Sequence, residues 1–410
     1  MKAAPLDRKE APAQGPMRGL RVLDMATMLA APFAGTMLAD YGAEVVKLEL
    51  PGKGDPFRDF PPFKDGKSLW WKAINRNKDF ITLDVRKPEG LEVFKRLLPR
   101  FDVLIENFRP GTMDQWGLTR EVLWALQPKL VILRVSSFGQ TGPYRRRAGF
   151  ARLLEAMGGL TFLTGEPDGE PMHPGYPMGD AIGGMFATVS VLAALYRRLA
   201  DPDGPGEEVD LSLTEATFRL LDVLPIEYEQ LGVVRERAGN RNQYSAPAAV
   251  YRTRDNRYVS LSGSTNSIFA GNARAIGRAE LIDEPRFAIN SQRAVHHQEL
   301  NAIFAAWMAE HDLAEVLERF ERHGGSIAPV YSIDQIFTDP QMQAREAVTQ
   351  VSDADFGSVG MTCAVPRFAN NPTRMRKSAA RLGADNERVY QEALGMSDAE
   401  LALLRANGVI

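Results

Sequence analysis

Three consecutive stretches decide the fold class. They are Arg21-Val22-Leu23-Asp24-Met25-Ala26, the small-residue run from Ala31 to Asp40 that ends near Gly42, and Glu44-Val45-Val46-Lys47-Leu48-Glu49-Leu50. The outer two are short and apolar with β character. The middle one has helical length. Strand, helix, strand is one βαβ unit, which predicts a parallel sheet. The alternation continues downstream. Phe80 to Val85, Val103 to Phe108 and Leu130 to Val135 read as strands. Pro88 to Leu98 and Thr119 to Leu126 read as helices, the first with proline in its opening turn. The pattern predicts an α/β fold built on a Rossmann-like, doubly wound parallel sheet. No G-x-G-x-x-G follows the first strand, so the dinucleotide fingerprint is absent. Ligands of such sheets bind beyond the carboxyl ends of the strands. Those ends carry Asn107-Phe108-Arg109-Pro110-Gly111 and Ser136-Ser137-Phe138-Gly139-Gln140-Thr141-Gly142-Pro143. Ordinary turn chemistry accounts equally well for either loop taken alone.

Further along, a loop with His173, Pro174, Gly175 and Pro177 runs into the apolar stretch Ala181 to Tyr196, which ends in Arg197 and Arg198. It reads as a buried helix with basic residues suited to its C-terminal dipole. Asp180 stands at its start. One reading makes Asp180 an N-cap, stabilising the helix by about 1 kcal/mol. The other makes it a carboxylate nucleophile among small residues, with Gly179, Gly183 and Gly184 letting a substrate approach the backbone. Glu208 to Leu213 and Thr214 to Leu221 add a strand and a helix, and from about Val223 the pattern changes. A hairpin over Ala249 to Gly263 turns at Asp255-Asn256 and is followed by helices at Ser267 to Ile276, Gln298 to Glu310 and Leu313 to Arg322. The expected organisation is a flexible tail over 1–18, a large domain over 19–222, a small mixed α/β domain over 223–335, and a return segment over 336–410.

Composition narrows the function. The chain has 410 residues, 44% hydrophobic and 25% charged, with a formal net charge of -3. These values suit a soluble globular protein and disfavour nucleic acid and anionic membrane as partners. The single cysteine, Cys363, excludes an intrachain disulfide. The N-terminus lacks the apolar segment of a signal peptide, and the stretch after Asp180 is short of about 18–20 apolar residues, so a cytoplasmic protein with a core helix is expected. The five histidines form no H-E-x-x-H, and with one cysteine no metal site is expected. Neither G-x-S-x-G nor a P-loop is present.

Several of these segments, taken in order, resemble one family. Leu29-Ala30-Ala31-Pro32-Phe33-Ala34-Gly35 and Ala39-Asp40-Tyr41-Gly42-Ala43-Glu44-Val45-Val46-Lys47 look like the opening of the family III CoA-transferases. The resemblance continues through Asn75-Arg76-Asn77-Lys78, Leu83-Asp84-Val85-Arg86, Glu106 to Gly111, Ser137 to Pro143, Gly179-Asp180 and Pro329-Val330-Tyr331-Ser332. It implies a large Rossmann-like domain completed by the C-terminal segment, a small domain, and two subunits interlocked as a homodimer. It also implies that Asp180 is the nucleophile, acting on acyl-CoA and carboxylic acid substrates, with no permanently bound cofactor. By the same match Leu29, Ala30, Leu83 to Arg86, Asn107, Phe108, Arg109, Ser136, Ser137 and Gly139 line the coenzyme A site. Arg86 and Arg109 would meet its phosphates, where a guanidinium fork fits; otherwise each is a solvated surface charge. Backbone N–H groups of Gly179 to Gly184 and of Gly139 are the expected oxyanion donors. Leu50, Gln115 and Ser136 replace basic residues of formyl-CoA transferase, so formate and oxalate are not the expected substrates. Two alternatives are an α-methylacyl-CoA racemase and a non-catalytic CoA-binding protein. The racemase needs a histidine where this chain has Gly149-Phe150-Ala151.

Overall fold

The structure is a computed structural model and describes residues 14–410. It divides into two compact units. One comprises the described residues through Thr161 with His173–Leu231 and Arg345–Ile410; the other comprises Phe162–Met172 and Gly232–Ala344. The helix Val223–Leu231 thus groups with the first unit and 162–172 with the second. Of the tail expected over 1–18, residues 1–13 lie outside the described residues. Residues 14–18 are anchored, with the Met17 N–H donating to the Tyr41 carbonyl at 2.9 Å.

The first unit is organised by six parallel strands: β1 (Arg21–Asp24), β2 (Glu44–Glu49), β3 (Asp79–Thr82), β4 (Val103–Glu106), β5 (Val131–Ser136) and β6 (Glu207–Ser212). Their order across the sheet is β3-β2-β1-β4-β5-β6. The chain order reverses between β1 and β4, and that switch point opens a crevice at the carboxyl ends of the strands. The parallel, doubly wound expectation is met, although β1 to β4 end earlier than the apolar runs do. Met25, Leu83 and Val85 lie past the strand ends and remain buried in the core, where the Met25 N–H donates to the Ile105 carbonyl and the Leu83 N–H to the Glu49 carbonyl, each at 2.9 Å.

Two helices govern the site. α1 (Ala30–Asp40) follows β1, and α2 (Met178–Ala200) lies against it. Their approach depends on side chains that are missing. A Cβ on Gly184 would stand 2.8 Å from the Ala30 carbonyl oxygen and 2.8 Å from Phe33 Cδ1. α2 is longer than its apolar run because Met178, Gly179 and Asp180 join its first turn and Arg197 to Ala200 its last. At 23 residues it is long and apolar enough to cross a membrane by length and composition, which corrects the length expected from sequence. Its inner face is core: Ile182, Ala187, Val191 and Ala194 are buried.

The C-terminal segment covers the outer edge of the sheet. The Phe80 N–H donates to the Asp385 carboxylate, the Thr82 N–H donates to Asn386 Oδ1, and the Tyr390 hydroxyl donates to the Thr82 carbonyl, each at 2.8 Å. Edge groups that would otherwise pair with another chain are thereby used. In the second unit, strands β7 (Ala248–Arg252), β8 (Tyr258–Ser262) and β9 (Ile327–Pro329) form an antiparallel sheet, with the expected hairpin between the first two. Its core packs Val259, Leu261, Phe269, Phe287, Phe304 and Phe320.

Candidate active site

A cavity of about 790 Å³ opens at the carboxyl ends of β1 to β4. Met25, Ala26 and Thr27 line it after β1, Glu49, Leu50 and Gly52 to Pro56 at and beyond the end of β2, Leu83 to Arg86 after β3, and Phe108 and Trp116 after β4. Its floor is a buried ionic network. Lys78 Nζ donates to Asp24 Oδ2 at 2.8 Å, to the Pro32 carbonyl at 2.7 Å and to Asn75 Oδ1 at 2.8 Å. Lys47 Nζ pairs with Asp55 Oδ2 at 3.1 Å and Asp24 Oδ1 at 3.7 Å. Asp55 in turn accepts the N–H groups of Met28 and Phe57, at 3.0 and 2.9 Å. Burial pulls the Lys78 ammonium down to about 8 even though Asp24 supports its charge. The Asn75-Arg76-Asn77-Lys78 segment is therefore scaffold. Arg76 and Asn77 clamp Asp40 at the end of α1 while Asn75 and Lys78 brace its start.

The second cluster surrounds Asp180. The residue lies in the first turn of α2, whose N-cap is Pro177. Its carboxylate accepts no hydrogen bond among the described residues, so the capping role is not the one it plays. The helix start is instead served by Glu155, from helix α3 (Ala151–Met157; α3 precedes α2 in the chain): its Oε1 accepts the Gly179 N–H at 2.8 Å. Glu155 is 1% exposed, and its other oxygen lies 3.2 Å from His173 Nδ1. Thr161 Oγ1 approaches the same nitrogen at 3.3 Å. Burial first, and the Glu155 charge second, push the Asp180 carboxyl up to about 7. Asp180 is half-buried, so it combines partial desolvation with access from outside. The Gly179 N–H is spent on Glu155 and is not an oxyanion donor, contrary to the expectation from sequence. Of the first N–H groups of α2, Met178 donates to Tyr176 and Ala181 to Pro177, which leaves the N–H of Asp180 without an acceptor among the described residues.

The residues expected to hold coenzyme A fall into three places. Leu83, Arg86 and Phe108 line the cavity. Arg86 is not a free cation: it forms a fork on Asp84, at 2.7 and 2.8 Å. Asn107 bridges the loops after β1 and β4 by two hydrogen bonds to Thr27. Arg109 is exposed and makes no ion pair among the described residues. Leu29 and Ala30 are at the start of α1, and the Ala30 carbonyl packs on Gly184 of the helix that carries Asp180. Ser136 is buried at the end of β5, and its hydroxyl has no partner among the described residues. Ser137 follows it, accepting Thr214 Oγ1 on its carbonyl, and Gly139 turns at φ 84° beside Asp210. Sequence reasoning missed Glu155 and the cavity wall from Gly52 to Asp55. A glutamate at a helical position facing inward among Leu154 and Ala151 was the available signal for the first.

The model of CoA-transferase family III matches residues 17–386. Succinyl-CoA–D-citramalate CoA-transferase of Chloroflexus aurantiacus is 39% identical over 396 residues, covering 96% of this chain and 98% of that protein. Succinyl-CoA:glutarate CoA-transferase of Mus musculus is 31% identical over 396 residues, covering 96% and 90%. The crystal structure of a CAIB/BAIF family protein from Brucella suis superposes with a TM-score of 0.80 at 30% identity, covering 93% of this chain and all of that one. The chain belongs to CoA-transferase family III and is an enzyme of that class.

Proposed function

We propose that the enzyme moves coenzyme A from succinyl-CoA to a second short dicarboxylic acid through covalent intermediates on Asp180. The observation that carries this reading is the uncapped, half-buried Asp180 carboxylate on a helix start served by another residue. The names of the relatives, which pair succinyl-CoA with citramalate, malate or glutarate, support the substrate class.

The steps balance without redox chemistry or net proton transfer. An Asp180 oxygen attacks the thioester carbonyl. A C–O bond forms, the C–S bond breaks, and a mixed anhydride and the CoA thiolate result. The thiolate attacks the Asp180 carbonyl of the anhydride, giving an aspartyl-CoA thioester and releasing succinate. The acceptor carboxylate attacks that thioester, and the returning thiolate takes the acceptor's acyl carbon, which frees Asp180. Covalent catalysis divides one hard exchange into easier ones. The unpaired Asp180 N–H lies next to the carbonyl where charge develops. Coenzyme A would lie along the 790 Å³ cavity, with Lys53 and Arg86 on its wall toward the phosphates. A second copy of the chain would cover the apolar outer face of α2 as an interlocked homodimer, since Val189, Tyr196 and Leu199 are 61%, 74% and 76% exposed.

Exchange of labelled succinate into succinyl-CoA tests the first half-reaction without any acceptor. The wild type exchanges label, hydroxylamine traps the acyl group at Asp180, and Asp180→Asn falls by at least about a thousandfold with its fold intact. Near-normal exchange by Asp180→Asn would refute the mechanism. In D2O, a chiral 2-methylacyl-CoA keeps its α-hydrogen. Deuterium uptake there, without CoA migration to any acid, would favour a racemase.

A further inference from the structure

Glu155 stands outside the steps above, yet it holds the backbone next to the nucleophile. It is buried, it spends one oxygen on the N–H of the residue preceding Asp180, and it spends the other on His173 Nδ1. The contact with Gly179 is close: a Cβ there would stand 3.2 Å from Glu155 Cγ and 3.2 Å from the Ala151 carbonyl. A buried carboxylate next to a nucleophilic carboxylate is costly unless a cation or donor offsets it. His173 is the group placed to do so, with its side chain 28% exposed and its Nδ1 turned to Glu155.

We propose that Glu155, held by His173, is a positioning residue for Asp180: it fixes the first turn of α2 through the Gly179 N–H and sets a carboxylate charge beside the nucleophile. The proposal rests on Asp180 being the nucleophile. The Glu155 charge opposes ionisation of Asp180, and His173 Nδ1 holds the oxygen that does not serve the Gly179 N–H. On the strands packed against α2, Arg134 pairs with Glu106 and Glu208, and Asp210 accepts the Gln140 N–H. On α3, Arg152 is exposed, and on helix α4 (Leu213–Phe218) Glu215 is exposed. Asp40 lies at the far end of α1, paired with Arg76. A glutamate that only capped the helix would be replaceable by glutamine without any change in the pH profile.

The experiment is the pH dependence of kcat/KM for succinate exchange into succinyl-CoA, from pH 5 to 9, in wild type, Glu155→Gln, His173→Gln and the double variant. Glutamine keeps an oxygen for the Gly179 N–H and removes the charge. In Glu155→Gln the acid limb moves to lower pH by about one unit, which raises the activity at pH 6, relative to the plateau, by up to about tenfold. In His173→Gln the Glu155 charge remains and the limb stays near that of wild type. The double variant follows Glu155→Gln, because the charge that opposes Asp180 is gone. A Glu155→Gln limb that coincides with that of wild type would overturn the proposal. If Asp180→Asn itself retained exchange, the nucleophile assignment would fail instead, and the two failures are told apart by that variant alone.

Discussion

Asn107 and Thr27 hold each other twice: the Thr27 N–H donates to Asn107 Oδ1 at 2.8 Å, and Asn107 Nδ2 donates to the Thr27 carbonyl at 2.7 Å. The pair ties the loop after β1 to the loop after β4 across the switch point of the sheet. Asn107→Ala leaves both Thr27 groups without these partners, at a cost of about 1–3 kcal/mol where they stay dry. The expected result is a lower melting temperature and a KM for succinyl-CoA raised about tenfold, with kcat changed much less. Asn107→Asp keeps the acceptor and loses the donor, and should fall between. A KM unchanged in Asn107→Ala would show that the clamp does not shape the cavity.

The raised Asp180 carboxyl has a consequence for stability. Its ordinary value is 3.8 and it is pushed up to about 7. Between those values the folded protein holds a proton that the unfolded chain has released, so stability falls as pH rises across the window and the loss is complete above about 7. Asp180→Asn removes the titration. The variant should melt higher than wild type at pH 8, with the gap closing as pH falls to 4; about 2–4 °C is expected for each kcal/mol in a domain of this size. Calorimetry across that range checks it, and a gap independent of pH would mean that the carboxyl is not held protonated.

Gly184 offers a packing test. A Cβ at this position must meet the Ala30 carbonyl, a backbone atom that cannot rotate away, as well as the Phe33 ring. Gly184→Ala is expected to cost about 1–3 kcal/mol and to lower succinate exchange, since the shift falls one turn from Asp180. Gly175 supplies the control: among the described residues nothing lies within 4 Å of a Cβ built there, so Gly175→Ala should leave both melting temperature and exchange within error of wild type.

The βαβ opening was legible because period and length both speak there: buried β-branched runs flank a helix of small residues, and the alternation repeats through β5. Asp180 was legible as a position but not as a geometry. An aspartate before an apolar run signals a cap, and only the structure shows that Glu155, 25 residues upstream, takes that task. The distance in sequence is what hides it, because capping rules look three residues away. The cavity wall at Gly52 to Asp55 was hidden for a different reason. A Pro- and Gly-rich stretch reads as a loop whether or not it lines a site, and Asp55 acquires meaning only through Lys47, Met28 and Phe57. Arg86 could be marked as a phosphate partner from its type, but its fork on Asp84 depends on a turn that composition does not encode.

The outer face of α2 sets the last expectation. Met185, Val189, Tyr196 and Leu199 are spaced by four, seven and three residues, which places them on one stripe of the helix. All are exposed, and Ile226, Tyr228 and Leu231 of the helix Val223–Leu231 are exposed as well, at 62%, 63% and 72%. Apolar area of this kind marks a surface that another molecule covers. With a second copy as that molecule, light scattering after sizing should give twice the mass of the 45.3 kDa chain at micromolar concentration. Unfolding should also shift to higher temperature as protein concentration rises, because association and folding are linked. Val189→Glu combined with Leu199→Glu would bury two unpaired charges at the contact, so the dimer should weaken while β1 to β6, which these side chains do not touch from the solvent side, keep their far-ultraviolet signature. A single-chain mass in the wild type at micromolar concentration would refute the assembly, and an unchanged dimer in the double variant would move it to another face of the molecule.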